Sequence, residues 1–172
     1  VQPSAQEVVR QAATLLTHCR RRGIPVIHVW TTVSRRDDRR MPHWKRNGIW
    51  RCEAGTEGHA TPQALQPIAG EHLIHKSGFS PFVDPQLQSL LAELGCDSVW
   101  LAGVQLHACI RMTSLDAYQR GLTVLIADDA VGSDDPIHAA ISKRYLSERN
   151  IGFVAVSRLC DSTDVALEPT SE

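Results

Sequence analysis

Cys109 and Lys76 are the side chains of this sequence best placed for covalent chemistry. Cys109 follows the apolar run Val99-Trp100-Leu101 and Gly103. Small and apolar residues then recur at helical spacing, at Ala108, Met112, Leu115 and Tyr118, until Gly121. The pattern predicts a buried strand from Ser98 ending at Gly103, then a helix closed by Gly121, with the cysteine at the turn between them. Unpaired backbone N–H groups at a helix start can stabilise a thiolate and, later, an oxyanion. Free cysteine is also a common small core residue, so position alone leaves both readings open. Lys76 ends the apolar strand His72 to His75 and is followed by Ser80-Pro81-Phe82. A lysine at a strand end is usually a solvated charge; beside a thiol it would hold the thiolate.

Three motifs in order decide between these readings. They are Lys76 with Ser80-Pro81-Phe82, Ala102-Gly103-Val104 four residues before Cys109 with Asp116-Ala117 and Arg120-Gly121 beyond, and Asp129-Ala130 after the strand Thr123 to Ala127. The chain from about Val8 to Val156 resembles the cysteine-hydrolase superfamily of isochorismatases, nicotinamidases and carbamoyl-amide hydrolases. The resemblance implies Cys109 as nucleophile, Lys76 as its cation, and an oxyanion hole from the backbone N–H groups of Gln105 and Cys109. It also implies a cis peptide between Val104 and Gln105. The expected activity is hydrolysis of a small amide or carbamoyl substrate through a covalent thioester-type intermediate. The alternatives are an isochorismatase-type vinyl ether hydrolase, or a non-catalytic domain of a larger polypeptide. Hydrolase domains fused to aldehyde dehydrogenases share the Gln105-Leu106-His107-Ala108-Cys109 form. A thiol redox sensor would need a resolving cysteine, and none lies near Cys109 in sequence.

Departures from the family matter as much. Its first strand ends in an aspartate, the general base, commonly followed by x-Gln, and no such motif occurs near Val1. That strand would lie between the Ile24 strand and the Ser98 strand. Its loss leaves two unpaired edges, each backbone group costing on the order of 1–3 kcal/mol. The expectation is therefore a gap in the sheet, with the chain incomplete at its N-terminus or another segment filling the space. Where the nicotinamidase branch keeps an Asp-x-His metal pair, this chain reads Trp30-Thr31-Thr32-Val33, so no metal and no cofactor are expected.

Around the two reactive residues, Phe79 and Phe82 are pocket candidates, with core packing as the competitor. Thr31 to Gly70 spans about forty residues without periodicity, far beyond a usual loop of ~4–6. Its Trp44, Trp50 and His59 belong either to a substrate lid or to a small apolar cluster under the loop. Arg35 to Arg40 reads as a solvated, self-compensating charge run. His107 is a further pocket candidate, and His28 reads as a hydrogen-bonded core histidine.

The elements that must position these groups alternate. Ser4 and Glu7 have capping-box spacing before a helix with the stripe Val8, Ala12, Leu15, Leu16 and Cys19, stopped by Gly23. Ile24 to Trp30 is a strand. Asp84-Pro85 starts a helix with Leu87, Leu90, Leu91 and Leu94, ended by Gly95. Asp135-Pro136 starts another, with Ile137, Ala140, Ile141 and Tyr145 inward, before a last strand from Ile151 to Ser157. This alternation predicts an α/β fold: a three-layer, doubly wound, mostly parallel, Rossmann-like sheet lacking its first central strand. The domain is expected over 1–157, with a polar tail or linker over 158–172.

Composition sets the outer bounds. At 172 residues and 42% hydrophobic, one domain can bury a sizeable core. A net charge of −1 gives no pull toward nucleic acid or membrane. Five scattered cysteines without a CxxC pair, and no signal-peptide pattern, suit a reducing cytoplasm. The expected partner is a small-molecule substrate, and the resemblance implies a homo-oligomer.

Overall fold

Short parallel strands alternating with helices make up the computed structural model, which describes residues 2–161. The first helix, α1 (Ala5–Arg22), begins where Ser4 Oγ accepts the Glu7 N–H at 3.2 Å. It ends at Gly23, whose φ of +66° closes the helix in the left-handed region at no side-chain cost. Strands β1 (Ile27–Thr31) and β2 (His72–Lys76) pair in parallel. The long connection between them carries α2 (Pro42–Arg46) and two single 3₁₀ turns, with Val33 and Met41 buried beneath it.

Helix α3 (Pro85–Glu93) is capped by Asp84, which accepts the Gln86 N–H at 2.9 Å. Then follow β3 (Ser98–Val104), a π-helical turn (Leu106–Ile110), α4 (Arg111–Gln119), β4 (Thr123–Gly132), α5 (Pro136–Ser147), β5 (Gly152–Val154) and α6 (Val156–Asp161). β3, β4 and β5 form a second parallel ladder. Between the register pairs Leu101–Ile126 and Gly103–Val131, β4 carries extra residues and bulges out. The bulge frees Asp129 to accept the Val156 N–H at 2.8 Å and cap α6.

The sheet is therefore discontinuous, as the expected gap requires. β1 pairs only with β2 and β3 only with β4 among the described strands. Burial records the break. The central part of β4, Val124 to Ala127, is fully buried, whereas no residue of β1 or β3 is. One cluster packs Ile74, Phe82, Leu87 and Leu106 with Ile126 and Leu146; the other packs Leu15 and Cys19 of α1 against Leu125, Ala127 and Leu159.

Three readings are corrected. In α5, Ile137 is 72% and Ile141 53% exposed, and Ala140 also faces out. The inward residues are Ser142 and Leu146, with Ala139 and, as expected, Tyr145 half-buried against the core. The isoleucines share helical spacing, but the face that meets the core carries a serine, so hydropathy pointed to the wrong side. The final strand stops at Val154, and α6 straddles the 157 boundary with Leu159 fully buried, so the folded unit continues to Asp161. Phe82 is 6% exposed within the first core cluster, with the Arg120 guanidinium 4.7 Å above its ring, and is a core residue. The remainder of the predicted tail lies outside the described residues.

Candidate active site

Parallel register places Thr31 opposite Lys76 at the C-terminal ends of β1 and β2, the edge where open α/β sheets bind ligands. From there Lys76 Nζ donates to Thr31 Oγ1 at 2.9 Å, to the Gly78 carbonyl at 2.8 Å and to Cys109 Sγ at 3.3 Å. An ammonium has three donors, and all three are used. The two residues singled out from sequence thus meet across the break in the sheet.

Cys109 lies in the π turn that β3 feeds and α4 continues. The Val104–Gln105 peptide is cis. The Gln105 carbonyl takes the N–H groups of Ala108 and Ile110, at 3.2 and 3.1 Å, and passes over that of Cys109. The Gln105 side chain is fixed too, because its Oε1 accepts the Asp134 N–H at 2.7 Å. Thr113 Oγ1 donates to the Cys109 carbonyl at 2.7 Å. Among the described residues no carboxylate is hydrogen-bonded to Lys76 or Cys109. Nor do they gather three or more His, Cys, Asp or Glu in a group able to hold a metal ion.

The other candidates divide. Phe79 follows Gly78, is 38% exposed, and stacks on His43 of α2 with centroids 5.9 Å apart. Trp44 sits edge-on to His43 at 6.0 Å, so the long connection rests on the segment that holds Lys76. Trp50 lies under the guanidinium groups of Arg40, at 3.6 Å, and Arg35, at 4.3 Å. Within the Arg35 to Arg40 run, Arg40 pairs with Asp38 at 2.8 Å and Arg39 with Asp37 at 2.5 Å, while Arg35 reaches Glu53 at 2.7 Å. His59 and His75 share the Thr32 hydroxyl, at 2.9 and 2.7 Å. His107 is not brought to the thiol. Its Nδ1 lies 2.6 Å from the buried Ser133 Oγ, and its ring approaches Asp134 and His138. His28 bonds Glu71 at 2.8 Å, as read.

Two residues of the site had gone unnoticed as such. Thr31 holds the lysine, and only its place at a strand end could have marked it. Cys52, on the long connection, comes close enough to interact electrostatically with both Lys76 and Cys109. Burial pushes its thiol up, Lys76 opposes the rise and Cys109 adds to it. Its backbone is held at φ +56°, unusual for a residue with a side chain.

The isochorismatase domain family matches residues 2–156. The chain belongs to the isochorismatase family. This isochorismatase-family chain is 33% identical over 147 residues to maleamate amidohydrolase of Pseudomonas putida, covering 80% of the chain and 66% of that enzyme. It spans about two thirds or less of the curated relatives it matches first. Among solved structures, an isochorismatase family protein of Desulfovibrio vulgaris superposes with a TM-score of 0.82 at 29% identity, over 90% of this chain and 83% of that one. N-carbamoylsarcosine amidase of Thermoplasma acidophilum does so at 0.78 and 26%, over 95% and 88%.

Proposed function

We propose that the protein is a cysteine-dependent hydrolase of small amides or carbamoyl compounds, with Cys109 as nucleophile. The observation that carries this is the Lys76 ammonium donating to Cys109 Sγ at 3.3 Å while anchored to Thr31 and Gly78. A fixed cation against the sulfur stabilises the thiolate that attacks. Sγ adds to the carbonyl carbon, and the oxygen takes up negative charge facing the start of the π turn. Backbone N–H groups there, that of Cys109 first, are the donors for this charge. As the C–N bond breaks, the amine leaves with the proton that the thiol gave up, and an acyl thioester remains on Cys109. Water adds to that carbonyl and the C–S bond breaks, returning the thiol and releasing the acid. Maleamate amidohydrolase and N-carbamoylsarcosine amidase favour C–N cleavage over other hydrolytic chemistry.

Ammonia release from maleamate and from N-carbamoylsarcosine tests the reading. Cys109→Ser should lower turnover by at least about a thousandfold, and acid-quenched wild-type protein should carry acyl mass on the Cys109 peptide. Turnover by Cys109→Ser at the wild-type rate would refute it.

A further inference from the structure

We propose that Ser133 and His107 are positioning residues, which together hold the turn that sets Cys109 against Lys76. The inference rests on Cys109 being the nucleophile and adds what keeps it in place.

β3 and β4 stay paired to their last residues, Gly103 with Val131 and Val104 with Gly132. Beyond that ladder, side chains take over from backbone. Gln105 Oε1 accepts the Asp134 N–H at 2.7 Å, and His107 Nδ1 lies 2.6 Å from Ser133 Oγ. Both residues that lead into the cysteine are thus fastened to the segment that follows β4. Gln105 also starts the turn, and its carbonyl takes the N–H groups on either side of that of Cys109. Where these two side chains are held therefore sets where the sulfur and the N–H of Cys109 point.

The Ser133 hydroxyl has one proton and two lone pairs, and its neighbours assign all three. It donates to the Asp135 carbonyl at 3.0 Å and accepts the Asp135 N–H at 3.2 Å. The remaining lone pair faces His107, so Nδ1 is the ring nitrogen that carries a proton and donates it. The acceptor is itself fixed. Ser133 is 2% exposed, and its backbone exchanges both hydrogen bonds with Gln2, at 2.7 and 3.1 Å. Asp135 caps α5, taking the His138 N–H on Oδ1 at 2.9 Å and the His138 ring on Oδ2 at 2.6 Å. The anchor is a buried side chain set at the start of a 12-residue helix, whereas the turn it holds has 5 residues. A reacting group keeps its geometry only when its supports are rigid, and a drift of about 1 Å costs on the order of a hundredfold in rate.

Alkylation of Cys109 by iodoacetamide, followed by peptide mapping, reads the thiol without turnover. Ammonia release from maleamate or N-carbamoylsarcosine reads kcat and KM. His107→Leu fills similar space without a donor, and Ser133→Ala removes the acceptor. Each should slow alkylation of Cys109 about tenfold and lower kcat about tenfold to a hundredfold, with KM kept within about threefold. His107→Asn, which keeps an N–H close to the Nδ1 position, should stay within about threefold of wild type in both rates. The double variant should fall no more than about threefold below the slower single one, since the two residues act through one bond. A merely structural loss would lower the folded share, read by circular dichroism, and leave both rate constants of that share unchanged. Should Ser133→Ala not fold, His107→Leu decides alone, because the imidazole is partly exposed. Folded His107→Leu within about twofold of wild type in both rates overturns the inference, and so does a double variant in which the two losses multiply. Slower alkylation in variants of a protein that hydrolyses neither compound upholds the positioning and counts against the proposed reaction instead.

Discussion

Thr31 shows how much of the candidate chemistry depends on a side chain that takes no part in bond making. Its hydroxyl, the Gly78 carbonyl and the Cys109 sulfur are the three acceptors of Lys76. Thr31→Val keeps the shape and removes one acceptor, leaving an ammonium N–H unpaired and the cation free to drift. Hydrogen bonds to charged groups contribute about 1.5–3 kcal/mol, so kcat/KM should fall by about tenfold to a hundredfold, through kcat more than KM. Thr31→Ser should restore most of it, and steady-state kinetics on one amide compares the three. Lys76 and Cys109 were legible because three motifs fell in the order that the family resemblance requires, whereas residue type and position alone left both readings open. Thr31 was not, because register between two strands separated by a long connection leaves no mark in either. Cys52 was hidden for a related reason: no hydrophobic period runs through residues 32–71 to say which part folds back.

Elements were read well where a local signal fixed both ends, as in α1 with Ser4 and Gly23 or α3 with Asp84. α5 had an equally clear start at Asp135, whose Oδ1 accepts the His138 N–H at 2.9 Å, yet its buried face was misassigned. Ser142 is wholly buried and receives an N–H from Arg111 at 3.4 Å. A satisfied serine costs little to bury, while Ile137 and Ile141 cost little to leave out singly, so two competing stripes existed in one helix. The stabilities should separate them. Ile137→Lys should change the unfolding free energy by less than about 0.5 kcal/mol. Leu146→Ala, at a fully buried position, should cost about 2–5 kcal/mol. Urea denaturation of the two variants measures both, and equal losses would restore the original face.

For the whole molecule, the division into two ladders is the dominant feature, and Glu71 is one of the ties across it. Its carboxylate accepts from Arg20 of α1 at 2.7 and 2.9 Å, from His28 of β1 at 2.8 Å and from the Ile68 N–H at 2.9 Å. α1 in turn packs on β4 through Leu15 and Cys19, so this one group links the β1–β2 ladder to the other half. The Arg20 guanidinium first, and then the Ile68 N–H and His28, hold the Glu71 carboxyl down at about 2, against an ordinary 4.5. A lowered carboxyl stabilises the fold above the ordinary value, and that contribution is lost as pH falls from about 4.5 toward 2. Glu71→Gln should therefore be less stable than wild type at pH 7, and the difference should shrink through that window. Urea midpoints measured from pH 7 to 2 would show it, and a constant difference would contradict it. The gap in the sheet was anticipated because the aspartate-ended first strand that the family resemblance implies finds no match in this sequence; this tie was not, because its members lie far apart in the chain.

The Lys76–Cys109 contact has one foot in each half. Lys76 ends β2, while Cys109 follows β3, and among the described residues no continuous ladder connects them. The distance between ammonium and sulfur is therefore a gauge of how firmly the halves are docked. A small slip of one ladder past the other would open that contact while every strand kept its own partner. Reactivity at the thiol should then fail on warming before circular dichroism registers any loss of helix or strand.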